Sequence, residues 1–137
     1  MGNIDDLIQI QVVATRAACE RITGPGLERL ADSVDRACCL PSRPRWDRKA
    51  RAHTELLRLL ASIGGHPGTA VPLDAIEELM RTVGPAASGM TISSRRRLLA
   101  RIGAGDADGA AQEMENHLRV LHHMARLAWG PAERAAA

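Results

Sequence analysis

Four ionisable side chains lie on the apolar faces of predicted helices: Lys49, His53, Arg95 and His117. Residues three or four apart share one face of an α-helix. Lys49 and His53 are four residues apart, and Leu56, Leu57 and Leu60 follow on that face. Because an unpaired charge is costly in an apolar interior, these polar groups either pair inside the protein or line a cavity.

The other two positions repeat this pattern further along the chain. Arg95 lies between Ile92 and Leu99, three and four residues away. His117 is surrounded at helical spacing by apolar residues: Met114, Leu118, Leu121 and Met124. All four polar groups are therefore predicted to project toward the buried side of their helices.

Composition favours one compact helical domain spanning residues 1–137, with an ordered core of about 4–128. A chain of 137 residues matches the size of a single domain. It has no Phe or Tyr and two Trp residues, so its core must be largely aliphatic. Such a core suits closely packed helices better than strands, which favour aromatic and β-branched residues.

Periodicity and breaker residues predict an all-α antiparallel bundle of about six helices. Thr23-Gly24-Pro25-Gly26 is expected to end the first helix, whose predicted apolar stripe comprises Leu7, Ile10, Ala14, Ala17 and Ala18. The two prolines of 40–45 predict a loop. The predicted helices span about 4–22, 27–38, 46–62, 73–83, 92–102 and 106–129.

Cysteine usage and hydropathy predict a cytoplasmic protein without a membrane segment. The three cysteines are Cys19, Cys38 and Cys39, an odd set that suggests no disulfide framework. The chain shows no basic-then-apolar leader and no long apolar run.

Several short motifs occur in an order typical of one protein family. Lys49 to His53 is followed by Gly65-His66-Pro67, and later by Ser94-Arg95, Gly105-Asp106 and His117-Leu118. This arrangement resembles the FCD domain, the all-helical effector-binding half of GntR-type transcription regulators. The family pattern has Glu-His where this chain has Ser94-Arg95, and Gly-Asn-Pro where it has Gly65-His66-Pro67.

The resemblance implies an FCD-type bundle that senses a ligand and dimerises, rather than an enzyme. Such domains form homodimers and change the spacing of their DNA-binding heads when an effector binds. In the family, DNA is bound through a separate N-terminal winged helix, which we expect to be absent from this chain.

The resemblance also assigns a role to the four polar positions. In much of the family they hold Asp, His, His and His, which bind a divalent metal. Here Lys49 and Arg95 replace two of these ligands, leaving His53 and His117 as a weak alternative metal site, so no metal cofactor is expected. We expect Lys49 and Arg95 to bind a small anionic effector directly, with His53 and His117 as hydrogen-bond partners.

The sequence also allows the two cationic side chains a purely structural role. Each is long enough to carry its charge to the surface while only its stem is buried, and each could instead pair internally with Glu113 or Glu115. For the whole chain, the alternatives are a helical interaction module without a ligand and a basic nucleic-acid-binding domain. The nucleic-acid-binding alternative is disfavoured because the charges nearly balance, with 18 basic and 16 acidic residues. No helix-turn-helix is evident either.

Overall fold

The computed structural model describes residues 4–65 and 70–136. These residues form six α-helices, a 3₁₀ turn at Gly84–Ala86 and no strand, which confirms the all-α prediction. The helices are α1 (Ile4–Arg21), α2 (Gly24–Cys39), α3 (Trp46–Gly64), α4 (Ala70–Val83), α5 (Ala87–Gly103) and α6 (Ala107–Ala136). In the predicted turn after α3, His66 and Pro67 lie outside the described residues.

Three predicted helix starts are wrong, and in each case the helix begins earlier. α4 starts at Ala70 rather than Leu73. α2 starts at Gly24 rather than Leu27. The Thr23 side chain accepts a hydrogen bond from the Gly26 N–H at 3.1 Å, and Pro25 occupies the first turn, where a missing N–H costs nothing. α5 starts at Ala87 rather than Ile92 because the 3₁₀ turn leads directly into it.

The predicted stop between the last two helices is confirmed. Gly105 adopts a φ of 72°, a left-handed conformation that glycine tolerates without steric cost. The carboxylate of Asp106 accepts a hydrogen bond from the Gly109 N–H at 2.9 Å and so caps the first turn of α6. This turn places α6 against α5.

The core is aliphatic, as the composition predicts. α6 packs against α1, α4 and α5, while α3 packs against α1, α2 and α4. Fully buried aliphatic side chains come from every one of these helices, among them Ile8, Leu30, Leu57, Ile76, Leu98 and Leu118. Each contributes roughly 1.5–3 kcal/mol by leaving water, so this packing holds the helices that carry the polar side chains.

The apolar stripe of α1 differs from the predicted one. Ile10 belongs to the predicted buried stripe but is 39% exposed, whereas Gln11 is 1% exposed. Sequence spacing alone does not separate two nearly equivalent faces, because both contain aliphatic residues. The contacts of α1 with α3 and α6 decide which face is covered.

Among residues 4–65 and 70–136, no helix combines the length and apolarity that crossing a bilayer requires.

The crossing of α1 and α3 depends on Gly64. A Cβ at this position would lie 3.0 Å from the Ala14 carbonyl oxygen and 3.2 Å from both the Ala17 Cβ and the Ala18 nitrogen. Two of these three atoms belong to backbone, which cannot rotate away. The small residue therefore sets how closely the two helices approach.

Gly64→Ala is expected to lower the free energy of unfolding by about 1–3 kcal/mol, because it overpacks this crossing. The matched control is Gly89→Ala in α5, where an added Cβ meets no atom within 4 Å. The control should raise stability by about 0.5–1 kcal/mol. Urea unfolding of both variants measures the difference, and equal effects would contradict the close-approach argument.

Candidate functional site

The four polar side chains singled out in the sequence are all buried. Lys49 and His53 come from α3, Arg95 from α5 and His117 from α6, and their exposed fractions are 4%, 2%, 1% and 3%. Lys49 and Arg95 therefore do not carry their charges to the surface. We call these four side chains the polar cluster.

Arg95 carries a positive charge into the interior. It is the largest of the fully buried side chains in the described chain. Burial lowers the pKa of its guanidinium to about 10, and the Glu113 carboxylate partly opposes that shift, so the group stays protonated near neutral pH. Its Nε, Nη1 and Nη2 atoms find no hydrogen-bond partner among the described residues.

The acidic residues considered as partners of Arg95 bind other arginines. Glu113 pairs with Arg97, and Glu115 accepts from Arg119 at 3.2 Å. Glu113 acts on Arg95 through its field rather than through a hydrogen bond. The guanidinium therefore lacks a direct counter-ion within the part of the chain that the structure describes.

Lys49 has local partners, unlike Arg95. Its ammonium donates to the Cys38 carbonyl at 3.2 Å and to the Leu40 carbonyl. These carbonyls lie at the C-terminal end of α2, where Leu40 is the capping residue. A cation there binds orphan carbonyls and complements the helix dipole. Lys49 thus links the end of α2 to α3.

The two histidines are neutral hydrogen-bonding groups. Burial, followed by the charges of Arg95 and Lys49, lowers the pKa of His53 to about 3. Burial is also the main cause that holds the pKa of His117 well below its ordinary value, with Arg95 adding to it. His53 Nε2 and both ring nitrogens of His117 are buried without a partner among the described residues. A neutral imidazole supplies one donor and one acceptor.

Two further buried polar residues, Thr91 and Gln11, are not predicted from the sequence. Thr91 is fully buried one turn before Arg95, and its Oγ1 has no described partner. Its spacing of four from Arg95 is a signal that could have identified it. Gln11 on α1 is buried with its Nε2 atom similarly unpartnered, but the apolar stripe predicted for α1 excludes it.

The donor set of the polar cluster does not fit a divalent metal. Guanidinium and ammonium groups offer no lone pair and repel a cation, and two imidazoles fall short of the three protein ligands that zinc sites use. In residues 4–65 and 70–136, no group of three His, Cys, Asp or Glu side chains is arranged to hold a metal ion. The cluster instead contains unpartnered hydrogen-bond donors, above all the guanidinium nitrogens of Arg95.

The family model described as FCD domain matches residues 7–120 of this chain. A search of curated proteins found no match, and neither did a search of solved structures.

The depressed pKa values of the histidines predict acid sensitivity. The unfolded chain binds a proton at each histidine below about pH 6.5, whereas folded His53 stays neutral until about pH 3. The stability contribution is therefore complete above about pH 6.5 and is lost as the pH falls toward the folded pKa. The slope should be up to about 1.4 kcal/mol per pH unit for each histidine.

Urea unfolding between about pH 7 and about pH 5 measures this slope. His53→Gln should make it shallower, because one proton uptake on unfolding is removed. His123→Gln serves as the control, since His123 is exposed and its loss should leave the slope unchanged. An identical slope in wild type and His53→Gln would contradict the assignment.

Proposed function

The chain belongs to the FCD domain family, and on that premise we propose that it is the effector-sensing and dimerising domain of a GntR-type transcription regulator. Its effector is a small anion bound in the polar cluster, with Arg95 as its counter-ion. The observation that carries this proposal is the buried Arg95 guanidinium, which has no hydrogen-bond partner among the described residues.

Electrostatics supports an anionic effector. A buried ion without a partner is strongly unfavourable, and a carboxylate or phosphate would supply both a counter-charge and acceptors. Arg95 presents a planar fork that matches a carboxylate with two parallel hydrogen bonds. Neutral His53 and His117 add donors without requiring further negative charge.

The placement of the cluster supports a sensing role. α3, α5 and α6 each contribute to it, so a bound anion would connect three helices that are separate in sequence. A ligand that binds one arrangement of these helices better than another shifts the population toward it. We propose that this shift reaches the dimer and alters its geometry without a metal cofactor and without catalysis.

The alternative of an interaction module is less well supported. A module without a ligand would be favoured by polar side chains that point outward from a solid core. Here His53, Arg95 and His117 are instead buried with nitrogens that have no partner among the described residues, at a desolvation cost that a purely structural bundle would not recover.

Arg95→Ala is expected to weaken an acidic effector at least tenfold, because losing a charge-assisted hydrogen bond costs roughly 1.5–3 kcal/mol. Calorimetry with a panel of carboxylates and acyl phosphates, after dialysis against a chelator, measures this change. Arg96→Ala is the matched control, since the neighbouring Arg96 side chain is 55% exposed and pairs with Asp35. Equal affinity in wild type and Arg95→Ala would refute the assignment.

The chain is also expected to form a homodimer. Four large apolar side chains remain exposed on α1 and α6, namely Ile10, Val13, Val120 and Leu127, and association would remove apolar surface from water. Sedimentation equilibrium should give twice the chain mass. A monomer across the accessible concentration range would remove dimerisation from the proposal.

A further inference from the structure

The two cations of the polar cluster have different roles. Deepening the proposed function, on which it rests, we infer that the effector is a monocarboxylate whose carboxylate is bound by Arg95, while Lys49 stabilises the end of α2 and does not contact the effector. The site thus selects ligands that bring one negative charge.

The hydrogen bonds of Lys49 are already committed. Its ammonium has three donors, and two of them bind the Cys38 and Leu40 carbonyls. Turning toward a ligand would leave these part-buried acceptors without a donor, at the cost of an unmade hydrogen bond. The negative end of the α2 dipole also compensates the charge of Lys49 where it lies.

The donors of Arg95 are uncommitted. None of its three guanidinium nitrogens has a hydrogen-bond partner within the described chain. Thr91 lies one turn earlier on the same face of α5, and its buried hydroxyl is also unpartnered. A single carboxylate has acceptor sites for the two-pronged guanidinium fork and for one further donor. These two residues therefore form a receptor for one carboxylate group.

A second negative charge would find no free cation among the described residues that act on the cluster. Arg97, whose charge also acts on His117, is paired with Glu113. His53 and His117 have pKa values depressed by burial and do not supply positive charge near neutral pH. The second carboxylate of a diacid, or the second charge of phosphate, would be buried without compensation.

The decisive measurement compares acids of equal chain length on the full chain. Butyrate is paired with succinate, and hexanoate with adipate, with inorganic phosphate as a third probe. Calorimetry should show that at least one monoacid binds about tenfold or more tightly than its diacid, and that phosphate binds no better than the diacids. This ratio tests the charge argument in the wild-type protein without any substitution.

Two substitutions then separate the roles of the cations. Arg95→Lys keeps the charge but removes the fork, and monoacid affinity should fall about tenfold. Lys49→Met removes the bonds to α2 and should lower stability toward urea, while monoacid affinity changes less than about threefold. Should Lys49→Met fail to fold, Lys49→Arg is measured instead, and its monoacid affinity should likewise stay within about threefold.

The outcomes distinguish this inference from the proposed function. If diacids or phosphate bind as tightly as monoacids, and the Lys49 and Arg95 variants weaken them alike, both cations contact the ligand. The inference then fails and the sensor proposal stands. If no acid of any class binds, or if the Arg95 variant binds its acids as tightly as the wild type, the anion-sensing function fails together with the inference.

Discussion

The guanidinium of Arg95 is the group around which the polar interior of this bundle is organised. It is almost completely buried, and its charge adds to the burial that depresses the pKa values of the neighbouring histidines. Repulsion between like charges also favours an arrangement in which Lys49 binds the carbonyl end of α2 rather than the cluster centre. One buried charge thus helps to keep the imidazoles neutral and favours an anion beside them.

The chemistry of the polar cluster does not suit a metal ion. The family resemblance implies metal ligands at these positions in much of the FCD family, and the family model matches residues 7–120. Lys49 and Arg95 stand where the family pattern has metal ligands with lone pairs, and they offer N–H donors instead. Such donors favour an anion over a metal cation. A metal ion would offer several coordination positions to a ligand. A guanidinium instead offers a charge that is covalently attached to the chain and hydrogen bonds in set directions.

The helices themselves are largely predictable, because period and breaker residues are local signals. Asp106 after Gly105 identifies the start of α6, and the cap is present. The helix boundary of α2 is predicted wrongly because its local sequence signal is compatible with two structures. Gly24-Pro25-Gly26 predicts a stop, yet proline is also favoured in a first turn, and here it begins α2. Ile10 and Gln11 are adjacent and point in directions about 100° apart around the helix axis, and the packing of α1 on α3 and α6 covers Gln11 rather than Ile10.

Residue type and spacing along each helix were enough to predict the helices and to place the four ionisable side chains on apolar helix faces. The FCD resemblance came from motifs in several segments, and the family model matches residues 7–120. The difference between the two cations depends on how the helices pack against one another. Lys49 reaches carbonyls on another helix, while Arg95 meets no described acceptor, and Thr91 and Gln11 join the set of unpartnered groups. A donor and its acceptor can lie on different helices. The spacing of residues along one helix therefore does not show which donors have a hydrogen-bond partner.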